Sequence, residues 1–392
     1  MGYNKTNRNI RLLYLHNFLE DFRPYNAIAV LYFAAITGSL TLGMTVFSIV
    51  MVSSAVFEIP TGVISDLVGR RRTFILGSLM SVIAVILYAL SNSFWLLACG
   101  AAFQGASRAF FSGNNEALLH ETLALQKREH EFPELLGKTR SMYQLAEAIA
   151  ALIGGILAIW SLRLAVWVSV GPQIVCLLVS FFFVEPKVVE RVTTNIFTHM
   201  RDAFRQFASN ARLRLVSLSS IVQFGVGESM FYIEPAFVAA LWPAWGIGIY
   251  RMLDHSLGWM SYWFAGRFIK KHSPLPSLLA ATCYISVLGL VAFGFPTVIS
   301  PVLLAATSIV YGVIIVSQNT LLQREFSDRQ RATLGSINSL LGSICFGGFS
   351  ILLGFLADVW SPAKALLFSQ IVLLSVLFLY RSLFAKRLNS PS

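Results

Sequence analysis

The chain has 392 residues, of which 56% are hydrophobic and only 12% are charged, and its mean hydropathy is +0.68. This composition excludes an ordinary water-soluble domain and indicates a membrane protein. The net charge of +11 alone would also suit a nucleic-acid-binding protein, but most of the 30 Lys and Arg fall on one side of the predicted membrane spans. We therefore interpret the charge as the positive-inside signal of a cytoplasmic face and expect no nucleic-acid partner.

Apolar stretches of about 20 residues, the length that crosses a bilayer, recur along the whole sequence. We predict twelve spans at about 11-35, 42-62, 73-92, 94-118, 141-162, 164-184, 213-240, 245-268, 275-295, 298-322, 333-357 and 363-385. The pattern predicts an all-α polytopic membrane protein with both termini in the cytoplasm. The first span is long and interrupted by charges, so we expect it to be retained rather than cleaved as a signal peptide.

The first predicted span contains the stretch "LHNFLEDFRPYN", which is unusually rich in titratable groups. His16, Glu20 and Arg23 recur at helical spacing and share one face, while Asp21 lies beside it. Pro24 lacks an N–H and should leave the carbonyl of Glu20 without its helical partner, as a bare backbone acceptor beside a carboxylate. A titratable face next to a broken helix is typical of substrate and ion sites in transporters. The alternative is a buried structural pair of Glu20 and Arg23 with His16 packed beside it.

The joint after the second span reads "GVISDLVGRRRTF" and resembles the loop signature of the major facilitator superfamily, Gly-x-Leu-Ala-Asp-x-x-Gly-Arg-Lys-x-x-Leu. Gly62, Asp66, Gly69, Arg70 and Arg71 match it. The resemblance implies two six-helix bundles around a central cavity that opens alternately to the two sides. We predict that these five residues form a gate, because the glycines permit a tight turn and a close approach of helices, and the aspartate can pair with an arginine or cap a helix. Alternatively, the arginines only anchor the loop to anionic lipid.

Two neighbouring helices add further polar candidates. Glu58 lies about one turn before the loop signature, and Gln104, Arg108 and Asn115 share one face of the predicted fourth span. Drug exporters of the superfamily carry Arg-x-x-Gln-Gly on this helix. The corresponding stretch here, "AAFQG", keeps the glutamine and glycine but has alanine in place of the arginine.

The longest polar joint divides the spans into six and six. We predict an N-terminal bundle at 1-184, a cytoplasmic linker with an amphipathic surface helix at 185-212, and a C-terminal bundle at 213-392. A solvated connector without such a helix is the alternative for the linker. Candidate cavity residues in the second half are Gln223, Glu228, Glu234, Tyr311 and Gln318.

Acids outnumber arginines among the ionisable groups that we place inside the spans. Lipid exposure of each would cost about 2.5 to 3.5 kcal/mol, so most must face a wet cavity or pair with one another. Because burial favours a neutral carboxyl group, such acids suit proton binding or attraction of a cation. We predict a proton-coupled secondary transporter that exports a small amphipathic cation or zwitterion across the bacterial inner membrane, as a monomer and without enzymatic activity, metal or cofactor.

The predicted roles divide the candidates into three groups. Proton coupling is assigned to Glu20, Asp21 and Glu58; substrate binding to His16, Arg23, Gln104, Arg108, Asn115, Gln223, Glu228, Glu234, Tyr311 and Gln318; and gating to Gly62, Asp66, Gly69, Arg70 and Arg71. Proton-driven uptake of a sugar, amino acid or organic acid on the same fold is the first alternative. A membrane sensor or assembly factor that does not transport is the second.

Overall fold

The structure is a computed structural model that describes residues 2–186, 210–325 and 331–388. Contacts divide the chain into two compact units, Met1–Glu190 with Trp242–Ser256, and Arg191–Leu241 with Leu257–Ser392. The predicted amphipathic helix of the linker falls mostly on residues outside the described ranges. The predicted bundle boundaries therefore remain a prediction.

Every predicted span between residues 11 and 184 of the first unit forms helix in the structure. Its helices are α1 (Gly2–Asp21), α2 (Ala29–Thr37), α3 (Leu40–Val68), α4 (Arg70–Leu90), α5 (Phe94–Phe111), α6 (Asn114–Ala124), α7 (Phe132–Leu157) and α8 (Leu162–Ser180). A 3₁₀ turn at Pro24–Ile28 joins α1 to α2, and another lies at Glu129–Glu131 before α7. Serine side chains cap two helices, since Ser39 accepts from the N–H of Leu42 and Ser93 from that of Leu96.

The remaining helices are α9 (Ala211–Ala239), α10 (Ala244–His272), α11 (Pro274–Gly294), α12 (Ser300–Thr307), α13 (Tyr311–Glu325), α14 (Arg331–Val359) and α15 (Pro362–Leu388). The 3₁₀ turn Ser308–Val310 interrupts the tenth predicted span between α12 and α13. The side chain of Asn210 caps α9 by accepting from two backbone N–H groups, those of Arg212 and Leu213. Each predicted span thus coincides with one helix or with two helices in series.

Small residues let the helices of the first unit approach closely. A Cβ added at Gly105 of α5 would lie 2.5 Å from the carbonyl oxygen of Val50 in α3. Apolar side chains of α1, α4 and α6 form a buried cluster that includes Leu13, Phe74 and Leu119. The second unit has its own core around Leu278, Leu334 and Val376.

Seven helices within the described ranges are long and apolar enough to cross a membrane: Leu40–Glu58, Arg70–Leu90, Leu162–Ser180, Pro274–Gly294, Ser300–Gln323, Leu334–Val359 and Pro362–Tyr380. The other predicted spans lie on α1, α5, α7, α9 and α10. These helices carry most of the ionisable and amide candidates, such as Glu20, Gln104 and Glu228. Their lower apolarity therefore comes from the same residues that the sequence marks as functional.

Candidate functional site

The first membrane segment breaks where the sequence predicts. Helix α1 ends at Asp21, Arg23 leaves the helical region with φ −124° and ψ 89°, and Pro24 starts the 3₁₀ turn. The carbonyl of Glu20, however, is not bare. It accepts a hydrogen bond of 3.1 Å from Nε2 of Gln173 in α8, which also bonds the carbonyl of Leu19 at 3.0 Å. The expectation of an unpaired acceptor was therefore wrong, because a side chain remote in sequence replaces the missing backbone donor.

The same glutamine connects the break to Arg23. Ser81 of α4 donates to Oε1 of Gln173 at 2.8 Å, and Nη2 of Arg23 donates to Ser81 Oγ at 3.1 Å. Arg23 is only 7% exposed. Its guanidinium is thus fixed by a chain of hydrogen bonds that spans α4 and α8, and Nε has no hydrogen-bond partner within the described part of the chain.

His16 lies in an aromatic box rather than on an open face. Its side chain is fully buried, and the rings of Phe74, Phe111 and Phe183 lie 4.9, 5.1 and 5.7 Å from the imidazole. Nε2 lies 3.2 Å from Ser78 Oγ, and Nδ1 lies 4.0 Å from Oε2 of Glu20. The imidazole therefore has no exposed face among the described residues, and its predicted substrate-binding role stays a prediction.

Two carboxylates and two guanidiniums interact electrostatically at the break. The side chain of Glu20 is 13% exposed, and its Oε2 makes no hydrogen bond to any described residue. The charges of Arg23 and Arg108 both act on Glu20 and on Asp21, and Arg108 is exposed on α5. The cluster is therefore formally balanced in charge, and its acids retain capacity for a further proton or donor.

Helix α5 adds a buried amide without a partner. Gln104 is 4% exposed, yet neither its Nε2 nor its Oε1 forms a hydrogen bond within the described ranges. Ser107 Oγ, on the next turn of α5, also lacks a hydrogen-bond partner among the described residues. Buried polar atoms are usually satisfied in native proteins, and each unsatisfied group costs about 1–3 kcal/mol. The α5 face that carries Gln104 and Ser107 thus has hydrogen-bonding capacity that the described residues leave unused.

Asn115 does not share that helical face. Gly113 has φ +70°, which ends α5 at Phe111 and starts α6 at Asn114, so the assumption of one continuous helix over 94-118 was wrong. Asn115 instead donates to the hydroxyl of Tyr143 in α7 at 2.8 Å, while its Oδ1 has no bond among the described residues.

A cavity of about 250 Å³ lies beside this contact, inside the first unit. Its lining comprises Leu13, Asn17, Phe111, Ser112, Gly113, Asn115, Glu116, Leu136, Thr139, Arg140 and Tyr143. Asn17 donates to the carbonyl of Thr139 at 3.3 Å, and Arg140 forms an ion pair with Glu116. The charges of Glu20 and Asp21 act electrostatically on Tyr143, so the cavity adjoins the α1 cluster.

The sequence reasoning missed Asn17, Gln173 and Tyr143. Asn17 precedes Glu20 by three residues on the same helix, so the spacing of Leu13, Asn17 and Glu20 was a usable signal. Gln173 and Tyr143 lie on distant segments, and only the tertiary packing brings them to α1.

The loop that resembles the superfamily signature forms a separate network. Gly69 has φ +92°, a conformation that favours glycine, and the backbone N–H groups of Arg70 and Arg71 donate to the two carboxylate oxygens of Glu185 at 2.7 and 2.8 Å. A Cβ at Gly69 would lie 2.6 Å from that carboxylate. Glu185, which the sequence did not single out, thus caps the N-terminus of α4.

Arg70 reaches into the unit from this loop. Its guanidinium bonds Glu121 of α6 at 2.9 Å and Ser65 at 2.9 Å, and Arg71 donates to the carbonyl of Phe181. The side chain of Asp66 lies outside the described residues, so its predicted pairing stays a prediction. Gly62 lies within α3, where an added Cβ would meet no atom within 4 Å, and the predicted close helix approach there was wrong.

Glu58 belongs to this second region rather than to the α1 cluster. It is exposed and lines a cavity of about 280 Å³ together with Thr61, Gly62, Ser65 and Arg70. Its predicted proton-coupling role is untested, but the structure does not group it with Glu20.

In the second unit, three neutral side chains form a chain of hydrogen bonds. Nε2 of Gln318 donates to the hydroxyl of Tyr380 at 3.2 Å, and that hydroxyl donates to Oε1 of Gln223 at 2.8 Å. Tyr380, on α15, was not a predicted candidate. Glu228 and Glu234 are half-buried on α9, and Tyr311 is 37% exposed with its ring 6.0 Å from Tyr262.

Comparisons with known proteins agree on one family. The sequence model described as "Major Facilitator Superfamily" matches residues 18–348. An uncharacterized transporter, BU466, of Buchnera aphidicola subsp. Acyrthosiphon pisum (strain APS) is 29% identical over 134 residues, which is 34% of this chain and 33% of that protein. The match thus spans about a third of that relative's length.

Solved structures are similar over nearly the whole chain. A mutant of the nucleoside transporter NupG has a TM-score of 0.83 at 14% identity, covering 96% of this chain and 99% of that one. A bacterial homologue of the human lysosomal transporter Spinster has a TM-score of 0.79 at 15% identity, with both chains covered completely. At such identities the likeness concerns the fold alone.

Proposed function

Because the chain belongs to the major facilitator superfamily, we propose that it is a proton-coupled secondary transporter of a small organic molecule, with Glu20 as its proton-binding residue. The predicted family and its all-α membrane fold are confirmed by the family match and by the solved structures. The substrate, the coupling ion and the direction of transport are our proposals.

One observation carries the proposal: Glu20 has a carboxylate oxygen without a hydrogen bond among the described residues, at a break in a membrane helix. A buried acceptor left in this way costs free energy that a proton or a donor group would recover. The backbone beside it is already held by Gln173, so the helix break does not need a ligand to be stable. A binding event at the carboxylate can thus occur without local unfolding.

In the proposed cycle, Glu20 carries either a proton or an interaction with the cargo. Arg23 is fixed by Ser81 and supplies a permanent positive charge, while Arg108 supplies a second one from the exposed face of α5. When Glu20 is protonated, the cluster of Glu20, Asp21, Arg23 and Arg108 has a net positive charge and repels a cationic cargo. When Glu20 is ionised, the cluster is balanced, the repulsion disappears, and the carboxylate can pair with the cationic group of the cargo.

A zwitterion or an amphipathic cation fits this balance of charges. The two carboxylates would bind its cationic group, and Arg108, as the exposed guanidinium, would bind an anionic group if one is present. We propose export across a bacterial inner membrane, in exchange for protons, as the physiological direction.

The test uses purified protein in liposomes, with ethidium as an amphipathic cation and an imposed proton gradient. The wild type should accumulate ethidium against its gradient. Glu20→Gln should abolish accumulation and weaken ethidium counterflow, because its neutral side chain mimics the protonated state that repels a cation. Glu134→Gln, an exposed substitution on α7, is the matched control and should behave like the wild type. Unchanged accumulation by Glu20→Gln would reject the proposed coupling residue.

Proton-driven uptake of a neutral polar nutrient is a second candidate. The unpartnered amide of Gln104 and the free carboxamide oxygens of Asn17 and Asn115 within the described ranges favour a cargo with several hydroxyl or amide groups. Uridine in the same liposomes distinguishes the two. Accumulation of uridine with protons, and none of ethidium, would favour uptake.

A further inference from the structure

Helices α7 and α10 touch through their backbones inside the first unit. A Cβ added at Gly155 of α7 would lie 2.7 Å from Cα of Gly248 in α10, and one at Gly248 would lie 2.6 Å from the carbonyl oxygen of Ala151. Only glycine permits this approach. The N-terminal half of α10 is thereby packed directly on α7, which agrees with its membership in the same compact unit.

Farther along the same contact, one acid and one base face each other. Nδ1 of His255 in α10 lies 3.3 Å from Oε2 of Glu147 in α7, and the two side chains are only 12% and 26% exposed. Glu147 is eight residues from Gly155, and His255 is seven residues from Gly248. At about 1.5 Å per residue, both lie about 10 to 12 Å from the glycine contact, so the pair and the glycines belong to one interface.

Other charged groups surround this pair. On α10, Nη1 of Arg251 lies 3.5 Å from Oδ2 of Asp254, and both residues act electrostatically on His255. The Arg251 guanidinium also lies 5.3 Å from the ring centre of Tyr250. On α7, Arg140 lies two turns before Glu147 and is occupied by Glu116. Arg251 and Asp254 form an ion pair, and a proton bound by Glu147 and His255 adds one positive charge at the interface.

We propose that Glu147 and His255 together bind a proton, and that the protonated pair holds the N-terminal half of α10 against α7. An imidazolium and a carboxylate at this distance attract each other strongly in a buried site, whereas a neutral imidazole beside a carboxylate does not. The glycine contact contributes close packing but no pH dependence. Loss of the proton therefore weakens the contact between the helices. This site is separate from Glu20 and does not depend on the cargo or on the direction of transport.

Hydrogen–deuterium exchange of the intact protein in lipid nanodiscs tests the proposal without any ligand. Exchange in the segment 244–256 is normalised to that of helix α8 and compared at about pH 4 and about pH 8, a range wide enough to include the titration of a buried histidine. The wild type should exchange several-fold faster at the higher pH. Glu147→Gln and His255→Gln should each exchange fast at both pH values.

Two further variants separate the proton site from other effects. Gly248→Ala disturbs the close packing alone and should raise exchange at both pH values while a pH dependence remains. Glu134→Gln, at an exposed ion pair of the same helix α7, should leave the wild-type pattern intact. The proposal is overturned if the wild type shows no pH dependence in this segment, or if both variants of the pair retain it. Failure of Glu20→Gln to alter transport would leave this result untouched.

Discussion

The first unit contains two carboxylates, Glu185 and Glu20, that differ in how completely the described residues satisfy them. At the loop before α4, both carboxylate oxygens of Glu185 accept backbone N–H groups, and Arg70 bonds Glu121 and Ser65. At the break after α1, by contrast, Glu20 has a buried carboxylate oxygen without a partner among the described residues, and the amide of Gln104 on α5 has none either. The cap that Glu185 forms stabilises one arrangement of the backbone by itself. Glu20 and Gln104 keep hydrogen-bonding capacity that the described residues do not use.

This difference separates a structural use of charge from a binding use. A saturated network loses stability when any member is removed, because a buried partner is left behind. In the α1 cluster, a polar group that has no partner among the described residues can be removed with little cost to folding, yet with a large cost to function. A member that compensates the carboxylates, such as Arg23, cannot be removed so cheaply. The predictions below test whether the two regions follow these opposite rules.

The largest effect on stability is expected from Arg23→Met. This change removes a buried guanidinium and leaves Glu20 and Asp21 with less compensation, which should destabilise the protein by about 3–5 kcal/mol at neutral pH. The loss should shrink at acid pH, where carboxylates take up protons. Thermal unfolding in detergent at both pH values measures it. A loss that does not depend on pH would show that Arg23 acts through packing alone.

Glu185→Ala should have the next largest effect on stability. It removes the acceptor for two backbone N–H groups at the N-terminus of α4 and should cost about 2 kcal/mol. Glu185→Gln keeps one acceptor oxygen and should cost less. Unfolding midpoints of the two variants, with transport measured in parallel, check this order. Equal unfolding midpoints for wild type and Glu185→Ala would contradict the stabilising role assigned to the Glu185 cap.

A matched pair of glutamines provides the sharpest contrast. Gln104→Leu removes an amide that has no partner within the described ranges, so stability should rise by up to about 1 kcal/mol while transport falls. Gln173→Leu removes the amide that bonds Leu19, Glu20 and Ser81, so stability should fall by about 1–3 kcal/mol. Midpoints that move in the same direction would contradict the distinction between buried polar groups that have partners and those that have none among the described residues.

The smallest effect is expected at the exposed turn before α7. The Arg128 guanidinium, which bonds both carboxylate oxygens of Glu131, holds the pKa of that carboxyl below its usual value. Its contribution to stability is therefore present at neutral pH and lost as the pH falls through the lowered pKa. Glu131→Gln should leave transport unchanged and remove only this weak acid dependence. A transport defect here would mean that the turn takes part in the cycle.

The sequence was sufficient for the helices but only partly for the site. Apolar segments and Pro24 correctly predicted the spans and the break in the first one, since both are local properties of the chain. The positive φ of Gly113 was missed because helical spacing was extended through it. The stretch "SGNN" around it was a local signal for a helix end.

The partners of the break could not be found in the same way. Gln173 and Tyr143 reach α1 from helices more than a hundred residues away, and nothing in local spacing assigns such contacts. Glu185 could not be found from local spacing either. It lies just after a predicted span, and the N–H groups that it caps belong to α4, more than a hundred residues away. Sequence patterns therefore located the charged residues, while tertiary packing decided which of them were neutralised.

The most direct test of the central claim, that Glu20 exchanges protons, needs no substrate. The protein is adsorbed in liposomes on a solid-supported membrane, and a rapid pH jump displaces charge as buried groups bind protons. Compared with wild type, Glu20→Gln should lose a component of this charge that Glu147→Gln retains. Identical displaced charge in wild type and Glu20→Gln would contradict the account.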